Sequence, residues 1–206
     1  MMREQKSFKT IIPDEGKKLL INDALHDKII VALNSKPQVR EIEVPSYIGN
    51  ATTLEEIKNV MILQTKLNLA QYLEDNPLFS KCKYPEGRYY KVTAEKQQQL
   101  TSKILMYEGY QKLGVPYNLT WNDCGEVCEE WRFEELFQLS MEIDAYVTPL
   151  VKIQQTMEVE LKNIGSIEDI LKINIEYTQE NITKYLNINE ANHEIIEGEE
   201  DEEATI

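Results

Sequence analysis

Between Phe133 and Ile164 apolar side chains recur at helical spacing without interruption. Phe133, Leu136, Phe137, Ser140, Ile143, Val147, Leu150, Met157, Leu161 and Ile164 form one long amphipathic stripe, beginning at about Glu126 or Phe133. Pro149 falls inside the stripe and is expected to kink or break the helix, because it lacks an N–H and crowds the preceding turn. Gly165-Ser166 then marks a stop and restart. Ser166 and Asp169 stand as N-cap and N3 acid ahead of Ile167, Ile170 and Leu171, and this last helix is expected to fold back on the long one.

Two further helices precede it. Thr53 with Glu56 fits a capping box, and Val60, Leu63, Leu67 and Ala70 follow at spacings of three and four, which predicts a buried stripe ending by Asn76-Pro77. Lys81 to Gly87 is a polar connector, and Arg88-Tyr89-Tyr90-Lys91-Val92 reads as a short strand. Thr93 is suited to N-cap a second helix with Leu100, Ile104, Tyr107 and Tyr110 facing one way; Gly114 supplies a left-handed C-cap and Pro116 cannot continue the helix. Tyr117 to Trp121 alternates as a further short strand.

The N-terminal part has a different texture. Phe8 to Ile12 reads as a strand, Pro13-Asp14-Glu15-Gly16 as a turn, Lys17 to Ile21 as a second strand, Lys28 to Leu33 as a third, and Arg40 to Val44 as a fourth with Ile42 and Val44 on one face. A module this small has a marginal core and should lean on another surface, its own helical part or another subunit. The predicted fold class is therefore α+β: a small N-terminal antiparallel β module followed by a mainly α-helical hairpin or bundle domain. Its segments are a β module over 1–48, a helix and connector over 49–90, a helical domain with a long kinked helix over 91–186, and an acidic tail over 187–206.

Charge sharpens the last boundary. The chain carries 22 Lys and Arg against 36 Asp and Glu, a net −14. Lys184 is the last base, and the eight acids after it, from Glu190 to Glu203, hold −8, leaving −6 for the rest. Such a run repels itself and has little to bury, so a disordered, solubilising tail is expected. The balance also argues against direct binding of nucleic acid, which needs clustered Lys and Arg to displace counterions from phosphates. No stretch approaches the length of apolar sequence that spans a bilayer, and Met1 to Lys6 leads into no apolar segment of secretory type, so neither a membrane contact nor a secretory signal is expected. A protein of the cytosol or of a virion fits.

Chemistry is poorly supplied. There are 2 His, His26 and His193, and 3 Cys; Cys124 and Cys128 could share a helix face, but four zinc ligands are not in prospect. The cysteines, Cys82 included, read as small buried or half-buried apolar groups rather than a disulfide framework. No Gly-rich phosphate loop, nucleophile elbow or His-Glu-x-x-His helix occurs. Glu129 with Glu130 and Glu134 with Glu135 are sequence neighbours that do not converge on a helix, and read as solvated charges. Asn181-Ile182-Thr183 has the form of a glycosylation sequon but carries no weight without a secretory route. An enzyme, a metal site and a cofactor are not expected.

The middle of the chain is rich in aromatics, which favour interfaces because they bury large area while keeping a polar tip. Tyr84, Tyr89, Tyr90, Tyr117, Trp121 and Trp131 are the candidate contact residues, for a protein or a carbohydrate surface. Tyr107 and Tyr110, at helical spacing, read as core, and Trp121 and Trp131 could clamp the turn between them.

Val92-Thr93-Ala94-Glu95-Lys96-Gln97, Tyr117-Asn118-Leu119-Thr120-Trp121-Asn122, the Gly125-Glu126 turn, Ala145-Tyr146-Val147-Thr148-Pro149-Leu150-Val151 and Ser166-Ile167-Glu168-Asp169 resemble a small helical domain of uncharacterised phage and prophage proteins. Such proteins are often encoded beside tail-fibre and baseplate genes of phages from gut bacteria. The resemblance covers about residues 90–180 and has no catalytic signature. Lys9 to Lys17 also resembles the short β modules that open such proteins. The resemblance implies a structural or tail-associated protein of bacteriophage virions, a partner of other phage structural proteins in an oligomeric assembly, located in the virion or the host cytoplasm. The competing expectation is an acidic host-takeover or anti-defence protein that occupies a host protein by imitating nucleic acid.

Overall fold

A computed structural model describes residues 6–11, 19–20, 40–125 and 127–188. The N-terminal strands are β1 (Lys6–Ile11), β2 (Leu19–Leu20) and β3 (Arg40–Pro45), in the order β2-β1-β3 with both pairings antiparallel. Thr10 stands opposite Leu20, and Ser7 opposite Val44. Three of the four predicted strands are thus in place; the fourth, Lys28 to Leu33, lies outside the described residues, as do the Pro13–Gly16 turn and the acidic tail from residue 189 onward, its first two predicted residues being helical. After a short 3-10 turn at Ser46–Ile48 come α1 (Leu54–Asp75), β4 (Leu78–Ser80), β5 (Arg88–Tyr90), α2 (Ala94–Lys112), β6 (Thr120–Trp121), β7 (Glu129–Glu130), α3 (Phe133–Asn163) and α4 (Ile167–Ile170), then α5 over 179–188. The class is α+β, with an N-terminal antiparallel sheet followed by a mainly helical chain.

The chain divides into two compact units, one holding residues up to Leu67 together with Gln154–Asn181, the other Asn68–Ile153 together with the residues from Ile182 onward. In the first unit, the start of α1 is the predicted capping box. The Glu56 N–H donates to Thr53 Oγ1 (3.2 Å), and the Glu56 carboxylate accepts from the N–H groups of Thr52 (2.9 Å) and Thr53 (3.0 Å) and from the Thr52 hydroxyl (3.0 Å). Those donors favour the ionised form and hold the Glu56 carboxyl down at about 2, against an ordinary 4.5. A depressed carboxyl stabilises the fold above its ordinary value, and the contribution is lost as pH falls from 4.5 toward 2. Melting temperature followed against pH should therefore show the advantage of wild type over Glu56→Gln largest at neutral pH and shrinking in acid.

The buried stripe of α1 is not the predicted one. Leu63 and Leu67 are 59% and 53% exposed and Ala70 is exposed, while Leu54, Ile57, Met61, Thr65 and Leu73 face inward. The helix is apolar on more than one side, so spacing alone admits two stripes, and the true one is disguised by Thr65. The Thr65 hydroxyl donates to the Ile62 carbonyl (2.8 Å) and accepts from Gln154 Nε2 (3.0 Å), so the polar atom is satisfied although fully buried. Gln154, on α3, also donates to Glu158 (3.2 Å), which in turn receives Lys162 at 2.8 Å.

α3 runs unbroken through Pro149. Proline there deprives the Ala145 carbonyl of its helical donor, but Ala145 lies on the exposed side, where water can take that carbonyl. Ser166 caps α4 as predicted, its hydroxyl accepting from the Asp169 N–H (3.1 Å), but α4 lasts a single turn. A third cap, Thr178, accepts from the Asn181 N–H (3.2 Å) and opens α5. The Asn181 side chain is buried and donates to the carbonyls of Asn174 (2.7 Å) and Glu176 (2.9 Å), so its amide is committed to the fold rather than offered for glycosylation.

In the second unit, Thr93 accepts from the Lys96 N–H (3.3 Å) and starts α2. Leu100 is buried and Ile104, Tyr107 and Tyr110 are half-buried, as predicted. The helix closes in a Schellman arrangement: the Val115 N–H reaches the Tyr110 carbonyl and the Gly114 N–H the Gln111 carbonyl, with Gly114 at φ +67°. Tyr107 stacks on Phe133 of α3 (4.7 Å between ring centres) and Tyr110 on Tyr117 (4.9 Å). None of the helices in the described residues is long and apolar enough to cross a membrane.

Candidate functional site

Two short antiparallel hairpins in the second unit, β4–β5 and β6–β7, are joined by a bond from the Cys124 N–H to the Tyr89 carbonyl (3.1 Å). Side chains alternate along β5, so Arg88 and Tyr90 point one way and Tyr89 the other. Beside Arg88 lies a cleft of about 200 Å³ lined by Tyr84, Arg88, Trp121, Asn122, Asp123, Gly125, Val127, Glu129 and Trp131.

Arg88 organises it. Its Nη1 donates to Asp123 Oδ2 at 3.0 Å and lies 3.6 Å from Glu129 Oε1, while the guanidinium carbon sits 3.7 Å from the centre of the Tyr84 ring. The Tyr84 hydroxyl donates to the other Glu129 oxygen. Lys83 donates to the Glu130 carbonyl (2.6 Å), approaches Glu129 at 3.4 Å, and lies 4.8 Å from the Trp131 ring centre. Asn122 donates to the Gly125 carbonyl (2.9 Å) and accepts from Lys96 (3.1 Å), which lies 5.3 Å from the Trp121 ring centre. Asp123 Oδ1 takes the Gly125 N–H at 2.5 Å; a Cβ on Gly125 would come within 2.7 Å of that oxygen, so the turn is tight against its own carboxylate.

The six sequence-predicted aromatics divide. Tyr84, Trp121 and Trp131 line the cleft. Tyr90 is buried behind Trp131, edge-on at 5.7 Å, and Tyr117 lies against Tyr110. Tyr89 is on the outer face of its hairpin, where its ring meets that of Phe79 at 5.1 Å and 60°. Residue types alone did not single out Arg88, Asp123, Glu129 or Phe79. The one available signal was Arg88 flanked by tyrosines, with a turn-forming Asn122-Asp123 beyond Trp121.

Two expectations are corrected. Cys124 and Cys128 lie in the β6–β7 connection, not on a helix, and both are exposed; Cys82 is half-buried as expected, and burial pushes its thiol up from the ordinary value. Glu129 and Glu130 belong to β7, not to a helix; both are exposed, as solvated charges are, and Glu129 in addition joins the Arg88 cluster. Among the described residues, no group of three or more His, Cys, Asp or Glu is placed to hold a metal ion.

The Tyr90 hydroxyl is buried without a hydrogen-bond partner among the described residues, and burial raises its ionisation well above that of an ordinary phenol. Tyr90→Phe removes a donor that has no acceptor. Urea denaturation should show stability unchanged or raised by up to about 1 kcal/mol, where deletion of a satisfied hydroxyl would lower it.

The charged groups that line the cleft are paired with one another. No family model, no curated protein and no solved structure matches the chain.

Proposed function

We propose that the chain is a non-enzymatic, phage-encoded structural or tail-associated protein that acts through protein–protein contacts in virion assembly. The observation that carries the contact reading is the outward ring pair on the β4–β5 hairpin, with Phe79 46% and Tyr89 57% exposed. Rings of this kind, already held by a strand pairing and by each other, lose little freedom when a partner covers them, which is the character of an interface anchor. Gly87 supports the pair: at φ +80° it packs so closely under Phe79 that a Cβ would fall 2.1 Å from the ring. The phage assignment rests on the resemblance carried by residues 90–180, and the inferred partners are other structural proteins of the particle or further copies of the chain. Location in the virion or host cytoplasm follows from that reading.

The test is Phe79→Ser with Tyr89→Ser in the encoding phage. Both are surface positions, so circular dichroism and thermal melting should change little. Loss of an anchor pair should weaken the contact at least about tenfold and lower the yield of complete particles. Normal assembly by the folded double variant contradicts the reading. Removing residues 189–206 should leave assembly intact; if instead a folded truncated protein loses its partner, the function lies in the acidic tail.

A further inference from the structure

We propose that the cleft beside Arg88 is a binding site for a neutral, polyhydroxylated ligand of single-ring size, such as one sugar residue. The inference stands apart from the assembly contact, since Arg88 and Tyr89 point to opposite sides of β5.

Charge selects against ions. The lining sets one base, Arg88, against the carboxylates of Asp123 and Glu129, and Lys83, outside the lining but 3.4 Å from Glu129, offsets the remaining charge, so an anion meets two carboxylates and a cation meets carboxylates that are already paired. Hydrogen-bonding capacity selects for hydroxyls. Carboxylate oxygens on one lining accept, and a guanidinium, an amide and two indoles donate, so a ligand whose groups both donate and accept is served best. Planar carboxylate and guanidinium groups also suit pairs of neighbouring hydroxyls.

Trp121 and Trp131 are the only two tryptophans of the chain and are 3% and 7% exposed, with Lys96 and Lys83 against their rings. Their faces are thus little open to a ligand. The volume, about 200 Å³, suits one ring and falls short of a drug-sized ligand. Arg88, held by Asp123, Glu129 and Tyr84, is already ordered, which lowers the cost of binding.

Because both tryptophans line the site, intrinsic fluorescence of the full chain reports on it directly. The protein is titrated with glucose, galactose, mannose and N-acetylglucosamine, with neutral oligosaccharides of the same sugars, and with inorganic phosphate and arginine. A saturable change in emission is expected with at least one neutral sugar at roughly millimolar concentration. Val127→Phe, at an exposed position on the rim, should weaken it at least about tenfold while circular dichroism stays unchanged, and Asp123→Asn should weaken it as well. Tighter binding of an oligosaccharide points to a glycan end and equal binding to a free sugar; both uphold the site. Absence of saturation with every neutral sugar up to about 100 mM, indifference to Val127→Phe, or tighter saturation by phosphate or arginine overturns it.

Discussion

Trp131→Ala should lower the stability of the second unit by about 3–5 kcal/mol, read as a fall in the urea midpoint at unchanged slope. The indole is 7% exposed and takes the edge of Tyr90 at 5.7 Å. Lys83 lies 4.8 Å from its ring centre, and its backbone N–H donates to the Leu119 carbonyl at 2.9 Å. Truncation removes the packing of a large ring and opens a cavity beside a tyrosine whose hydroxyl already lacks a partner. The backbone bond survives, so the β6–β7 hairpin retains its register. A loss below about 1 kcal/mol would mean that Trp131 acts as an exposed surface ring rather than as part of this core.

Gln154→Ala should cost about 2–4 kcal/mol, through lost packing and a lost buried hydrogen bond. Its amide is the donor to Thr65 Oγ1 at 3.0 Å, and both residues are buried. The pair fixes α1 against α3 within the first unit, since a slip of either helix would strand a polar group in an apolar interior. Replacing both partners by apolar residues of similar shape, Thr65→Val with Gln154→Leu, should be close to neutral, because no unsatisfied group is left behind. A double variant as destabilised as Gln154→Ala would contradict the assignment of that cost to lost packing and the lost buried hydrogen bond. Chemical denaturation of the single and double variants measures the coupling directly.

The same pair explains where sequence reading succeeded and failed. Thr53 with Glu56, Thr93, Gly114 and Ser166 were legible because a cap is decided by residues within one turn of it. The stripe on α1 was misread because the inward position Thr65 is polar and the outward positions Leu63 and Leu67 are apolar. Tertiary pairing with Gln154, 89 residues away, decided the face, and no local pattern encodes that. Pro149 is expected to kink or break α3; the helix does not break there, because the Ala145 carbonyl left without its helical donor is on the exposed side. β4 was not anticipated, since Leu78-Phe79-Ser80 is too short to alternate visibly and gains its identity only from pairing with β5.

The candidate site was legible by residue type and not by placement. Tyr84, Trp121 and Trp131 were chosen as aromatics, yet the cleft exists because Arg88 reaches Asp123 across 35 residues of sequence, and Lys83 reaches Glu129 across 46. Tyr90 and Tyr117 look the same as Tyr89 in a sequence; strand alternation and the neighbouring Tyr110 separate them. The N-terminal module was legible through its alternation, and β1 and β3 pair along their whole length.

The proposed role as a phage virion or assembly protein meets its most direct test in quantitative mass spectrometry of particles purified from the source of the chain. The account predicts its peptides in mature particles at a fixed ratio to the other tail components, with that ratio falling in the Phe79→Ser, Tyr89→Ser double variant. Absence of the chain from intact particles, together with normal particle yield when it is deleted, would contradict the account and move the function to the host cell.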